Sequence, residues 1–313
     1  MPVVWNSVSV VVAVRGNAGH LPSLLRALSH QDYLGAVELV VVDNHDQPVI
    51  DRCRLVAWPV PVHVAFEMRP GLARARNTGI RMATGDFILI TDPEAQPDPG
   101  WVRTMVTALV HGGADLVGGQ VVPILPAGAG PLPAPVLALF GPACWPTVVC
   151  ELEAPGQLSG SNLGMPNTDE VPLLVDARRR GSGYHRHYDA IELPASVQPA
   201  GYSVQLVPGA VVRRPVLPEH LTVRSVWVRA WRQGVSLARP GVRRSSGAHL
   251  PGPRAPRGLP WEWLVSRGGW LAIVTVLARA AGRTKERALR ALGWRREERP
   301  ARARPLHQHT AQH

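Results

Sequence analysis

Phe87-Ile88-Leu89-Ile90-Thr91 is an unbroken apolar and β-branched run, and Asp92-Pro93-Glu94 follows it at once. A run without polar alternation reads as a strand buried on both faces, as in a parallel sheet covered by helices. Two carboxylates then stand two positions apart where the strand ends, the edge at which open α/β sheets place their ligands. Hard oxygen ligands held that close suit Mg2+ or Mn2+, whose remaining positions usually go to water and substrate phosphate. The simpler alternative is a polar strand-to-helix turn, with Asp92 or Glu94 capping a helix after Pro97.

The flanking sequence repeats the strand–helix alternation. Residues 7–14 form a β-branched run that ends at Arg15-Gly16, and Leu21, Leu24, Leu25 and Leu28 share one helical face. Residues 38–42 read as a second buried strand, ending at Asp43-Asn44, and residues 62–66 as a third. Arg69-Pro70-Gly71 turns into a helix over 72–83, with Gly85 as its stop signal. A helix is expected over 100–110, a strand over 116–124, and a Pro/Gly/Ala-rich surface loop or lid over 123–146. Order resumes at Ser159-Gly160-Ser161-Asn162-Leu163-Gly164. Two short strands follow, 203–207 and 210–212, the second ending at Arg213-Arg214-Pro215, and then a helix over 220–237. The pattern predicts an α/β protein with a Rossmann-like, mostly parallel sheet flanked by helices. No GxGxxG follows the first strand, which argues against a dinucleotide enzyme.

Beyond Leu237 the composition shifts. Residues 238–260 read as a linker, 261–294 as a helical extension and 295–313 as a disordered basic tail. The net charge of +11 is almost entirely arginine, since Lys285 is the only lysine, and most of the excess lies in this region. A basic balance favours nucleic acid, anionic lipid or phosphorylated substrates. No nucleic-acid motif accompanies the charge, so no such partner is expected. Trp261, Trp263 and Trp270 among arginines fit a helix lying on an anionic membrane surface; a helix packed on the preceding domain is the alternative. Cys53, Cys144 and Cys150 form neither an even disulfide set nor a CxxC pair. With no secretory signal and no apolar stretch long enough to span a bilayer, the expected location is the cytoplasm, including its membrane face.

Several segments together carry a resemblance. Val8-Ser9-Val10-Val11-Val12, Glu38 to Asn44, Gly71 to Ile80, Ala83-Thr84-Gly85-Asp86 and Thr91 to Asp98 resemble, in order and spacing, the nucleotide-sugar domain of family 2 glycosyltransferases, which have the GT-A fold. The resemblance covers roughly residues 7–235. It implies a transferase domain over 1–237, with a donor half over about 1–123 and an acceptor half over about 147–237. It also implies an inverting, hexosyltransferase-type enzyme that moves a sugar from a UDP-, GDP- or dTDP-linked donor to a hydroxyl, on a lipid-linked or small acceptor, with Mn2+ or Mg2+.

The same resemblance assigns roles. Asp92 and Glu94 match the metal motif, with Glu94 where the family carries a second Asp. Asp43 matches the acid that contacts the nucleoside; a turn residue with an Asx turn at Asn44 is the alternative. Arg15, Arg76 and Arg214 fall on the donor side. Arg74 and Arg76 cannot both face the site from one helix, and Arg76 is preferred. Asn162 matches the segment that lines the acceptor pocket, with a structural turn as the alternative. Asp189-Ala190-Ile191-Glu192-Leu193 overlies the catalytic-base motif, but Ala190 stands at the usual base position. Asp189 and Glu192 are therefore the candidates, with His185, His187 or no base left open. The last option corresponds to a nucleotide-sugar-binding protein of the same fold with impaired catalysis.

Overall fold

The computed structural model describes residues 5–16, 18–51, 58–130, 132–141, 146–151, 158–168, 202–237, 277–281 and 283, with residues 232–237 described by backbone alone. Asp189, Glu192, His185, His187, Cys53, Cys144, the 238–260 linker and the 295–313 tail lie outside these residues.

Strands β1 (Val8–Val14), β2 (Val37–Asp43), β3 (Val62–Phe66) and β4 (Phe87–Thr91) pair in parallel in the order β3-β2-β1-β4. Helices α1 (Leu21–Ser29) and α2 (Leu72–Met82) alternate with them. All seven β1 side chains are buried because both faces are covered. Val8, Val10, Val12 and Val14 pack with the four α1 leucines, whereas Val11 and Ala13 join Val40, Val42 and Ala75 of α2 on the opposite face. This two-sided cover explains why the strands read as continuous apolar runs. Gly79 permits the α2 contact: a Cβ there would lie 2.4 Å from Val11 Cγ1.

The sheet continues past β4 with mixed direction. The full order is β3-β2-β1-β4-β8-β6-β9-β5, where β5 is Gln96–Pro97, β6 Leu116–Ile124, β8 Asn162–Pro166 and β9 Val204–Pro215, and the short β7 (Cys150–Glu151) pairs with β9. β8 runs antiparallel to both β4 and β6. Helix α3 (Trp101–Gly112) packs on the α1 side of the sheet.

Three local expectations change. The two strands expected at 203–207 and 210–212 are one, because its parallel ladder to β6 absorbs an irregularity opposite Gly119 and Gln120 and then resumes. The expected loop over 123–146 contains a helical turn, α4 (Ala134–Leu137), introduced by Pro133. Helix α3 takes Gly100 as its N-cap, so neither Asp92 nor Glu94 caps it.

Helix α5 (Val223–Leu237) follows a 3-10 turn at Pro218–Leu221. Val226 and Ala230 of α5 join Val136, Leu139, Phe140, Val216 and Ala278 in a separate apolar cluster. Ala278 belongs to helical residues 277–281, and Arg279 Nη2 donates to the Pro135 carbonyl at 3.3 Å. Burial, with Arg283 adding, pushes the Arg279 guanidinium down to about 10. This part of the expected extension therefore packs on the domain. No helix among the described residues is long and apolar enough to cross a membrane.

Candidate active site

The strand order reverses at β1, which lies between β2 and β4, and the carboxyl ends beside such a reversal are where open α/β sheets place their ligands. Register places Asp43 beside Val14 and Thr91 beside Val12, bringing the ends of β1, β2 and β4 to one edge. From the other side, β8 pairs Asn162 with Thr91. The next residues of the two chains, Ser161 and Asp92, therefore meet just beyond the ladder.

Asp92 is the centre of this edge. Its Oδ1 accepts from Arg76 Nη2 at 2.9 Å and its Oδ2 from Ser161 Oγ at 2.5 Å. Arg214 Nη1 lies 3.5 Å from Oδ2, and Arg214 Nη2 donates to Glu94 Oε1 at 2.8 Å. Two carboxylates and two guanidiniums thus form one linked group. Burial pushes the Asp92 carboxyl up, but Arg214, Arg76 and the Ser161 hydroxyl outweigh it and hold it below the usual carboxylate range. Burial works against the Arg214 cation as well, and Asp92 and Glu94 more than offset it.

The arginines separate as helix and strand geometry requires. Arg76 is buried against Asp92, while Arg74, two positions earlier on α2, is only half-buried. On β9, Arg214 faces the site, whereas Arg213 points the other way onto Asp98 at 2.8 and 3.0 Å. Arg15 stands on the rim, 3.2 Å from Asp46.

Asp43 and Asn162 are buried and heavily engaged. Asp43 Oδ1 accepts from His45 N at 3.1 Å and His45 Nδ1 at 2.7 Å, and its Oδ2 from Val49 N at 2.7 Å and Ile50 N at 3.0 Å. Those four donors fill the carboxylate, so a nucleoside contact at Asp43 would displace one of them. Burial raises the Asp43 carboxyl, but these hydrogen bonds lower it further, for a net downward shift. Asn162 is 0% exposed; its Oδ1 accepts from Trp101 Nε1 at 2.8 Å, and its Nδ2 donates to Gln120 O and Ala210 O at 2.9 and 2.8 Å. The amide joins α3, β6 and β9, and its side chain does not reach a surface that an acceptor could touch. A Cβ on Gly119 would lie 2.4 Å from Asn162 Nδ2, so glycine there makes room for the amide.

Four residues at this edge were not singled out from sequence. Ser161 lies in the quoted segment before β8, and only the β4–β8 register exposes its part. Asn44 donates to the carbonyls of Glu67 and Arg69 and accepts from Gly71 N, which fixes the loop that starts α2. Glu67 accepts from the Arg69 backbone and guanidinium and from Thr78 Oγ1. His220 lines a small recess with His20, Glu94, Pro215 and Leu217. Burial, then Arg229, lowers the His220 imidazole below the usual histidine range.

The metal expectation can be tested on these donors. Asp92 and Glu94 offer hard oxygens of the right chemistry for Mg2+ or Mn2+. Among the described residues no third His, Cys, Asp or Glu completes a set with them. An ion held by the pair would thus rely on phosphate and water for its other positions, which is usual for Mg2+. The pair fits in kind, although Arg214 already lies against both carboxylates.

The sheet order and the acidic strand end define a GT-A fold. Residues 9–130 match the model of glycosyl transferase family 2. The chain is 31% identical over 118 residues to the glycosyltransferase AglE of Haloferax volcanii, a match covering 36% of this chain and 39% of AglE. It therefore spans well under half the length of that relative. Among solved structures, the mannosyltransferase PcManGT from Pyrobaculum calidifontis in complex with GDP-Man and Mn2+ superposes with a TM-score of 0.51 at 17% identity, covering 96% of this chain and 78% of that one. GalNAc-T7 with UDP, GalNAc and Mn2+ gives a TM-score of 0.51 at 15% identity, covering 75% of this chain and 50% of that one. At these identities the likeness concerns the fold.

Proposed function

We propose that this chain moves a sugar from a nucleoside-diphosphate donor to a hydroxyl acceptor with inversion at the anomeric carbon. The reading rests above all on Asp92 and Glu94, which stand at this edge of the sheet and share Arg214. Relatives that carry the glycosyltransferase name, and neighbours described with UDP or GDP-Man and Mn2+, support it. Asp92 and Glu94 would hold a divalent ion, Mn2+ or Mg2+, which when bound offsets the charge that builds on the departing diphosphate. Arg76 orients the Asp92 carboxylate and shields it from water. Arg214 offers N–H donors to phosphate oxygens, and Arg15 extends the positive rim. Asp43 shapes the nucleoside end of the site by fixing the loop at 45–50.

In the transfer, the acceptor oxygen forms a bond to the anomeric carbon as the bond from that carbon to the diphosphate oxygen breaks. The nucleoside diphosphate leaves with the electron pair. The hydroxyl proton goes to a carboxylate, for which Asp189 and Glu192 are the candidates. Asn162 acts on the acceptor side indirectly, by fixing β8 next to Ser161.

Calorimetric titration of UDP, GDP and dTDP with Mn2+, followed by a donor-hydrolysis assay on the nucleotide sugar that binds, tests this reading. Micromolar binding of one nucleotide and slow hydrolysis of its sugar conjugate are expected. Binding without turnover on any acceptor would favour the catalytically impaired alternative that Ala190 suggests.

A further inference from the structure

Arg214 occupies both carboxylates that a divalent ion would use. Its Nε and Nη2 donate to Glu94 Oε1 at 3.2 and 2.8 Å, and its Nη1 lies 3.5 Å from Asp92 Oδ2 and 3.3 Å from Ser161 Oγ. Arg76 takes the other oxygen of Asp92. Taken by themselves, these four charges sum to zero. A divalent ion placed on the carboxylates with Arg214 unmoved would add two positive charges to a largely buried neutral group, beside a guanidinium. Repulsion at that range is strong where water is scarce. A diphosphate ester brings two or more negative charges of its own, so ion and nucleotide entering together restore the balance. Of the two arginines, only Arg214 has an open side on which to move, since its side chain is 24% exposed against 3% for Arg76.

Building on the donor-site reading, we propose that Arg214 is an internal cation that a divalent metal displaces from Glu94 and Asp92, and that the freed guanidinium turns onto the donor diphosphate. Metal and nucleotide then bind as a coupled pair, and Arg214 is the positioning residue that couples them. Because such coupling is reciprocal, each ligand tightens the other by the same factor.

Mn2+ binding to the full chain, followed by electron paramagnetic resonance, reads this directly. For the parent, Mn2+ alone should bind weakly, and UDP or GDP, whichever the site accepts, should tighten it by at least about tenfold. For Arg214→Gln, Mn2+ alone should bind about ten- to a hundredfold more tightly than to the parent, and the nucleotide should add little. Arg214→Lys keeps the charge but not the fork that grips Glu94, so its affinity for Mn2+ alone should fall between those of the parent and Arg214→Gln. An Arg214→Gln variant that binds Mn2+ alone no more tightly than the parent overturns the proposal. Crystals of the unmutated chain soaked with Mg2+ and UDP or GDP give a second reading that needs no variant. The guanidinium should leave Glu94, and an ion seated on the carboxylates with Arg214 still bonded to Glu94 overturns the displacement. Failure of every nucleotide to bind the parent would sink the donor-site reading and the diphosphate half of the proposal, while Mn2+ alone still decides the displacement.

Discussion

Arg76 Nη2 donates to Asp92 Oδ1 at 2.9 Å between two side chains almost wholly shielded from water. The pair links α2 to the end of β4. A pair of this kind is worth little net stability over an apolar substitute, yet removing one member strands the other's charge.

Arg76→Ala should therefore destabilise the fold by about 3–5 kcal/mol, read as a lower urea midpoint. An Arg76→Met, Asp92→Leu double variant should recover a large part of that loss while abolishing nucleotide binding. A single variant as stable as the parent would show that the pair is not buried in solution.

Ser161→Ala removes the donor to Asp92 Oδ2 and the acceptor that Arg214 Nη1 approaches at 3.3 Å. A hydrogen bond to a charged group contributes about 1.5–3 kcal/mol, and a loss near the lower end is expected because Arg214 stays close to the same oxygen. The Asp92 carboxyl should titrate at higher pH in this variant than in the parent, measurable by carboxylate NMR.

Asn162→Ala separates a structural amide from an acceptor ligand. It would orphan Trp101 Nε1 and the carbonyls of Gln120 and Ala210, at a cost of about 2–4 kcal/mol for several buried polar groups. The expected outcome is a lower thermal midpoint with an unchanged acceptor KM at temperatures where the variant is folded. A selective rise in acceptor KM with full stability would restore the contact role expected from sequence.

Glu67 makes acid stability testable. Hydrogen bonds from Arg69 lower its carboxyl to about 2, against burial, with Thr78 adding. Because the folded value lies below the unfolded one, the stabilisation is present above about pH 4.5 and is lost as pH falls toward 2. At most about 3 kcal/mol is involved, and less in practice because Arg69 is largely solvent-exposed. Glu67→Gln should flatten the stability curve across this window in chemical denaturation at stepped pH. An unchanged acid limb would show that Glu67 does not carry it.

The part of the sheet from β1 to β4 was largely legible in the sequence because its signals are local. Strands covered on both faces become apolar runs, and α1 shows its buried leucines at helical spacing. That Arg74 and Arg76 face apart followed from the rule for positions i and i+2 on a helix, whereas which of them meets Asp92 came from the structure. The acceptor side was less legible. The long β9 was split at Pro208-Gly209, since a ladder that absorbs an irregularity and resumes has no local signature. The choice between a ligand contact and a structural turn at Asp43 and Asn162 was not legible either, because a polar residue at a strand end looks the same whether it meets substrate or backbone.

By itself, then, the sequence determined the alternation of strands and helices, from which the parallel pairing of β1 to β4 follows, and the placement of Asp92 and Glu94 at a strand end, because periodicity and run length are written along each element. Tertiary structure alone decided that Ser161 meets Asp92, that Asn162 joins α3, β6 and β9, and that Arg214 reaches across from β9 to both carboxylates. Those relations join residues 42 to 122 positions apart in the chain. They follow from strand register and charge balance, which exist only once the sheet has closed.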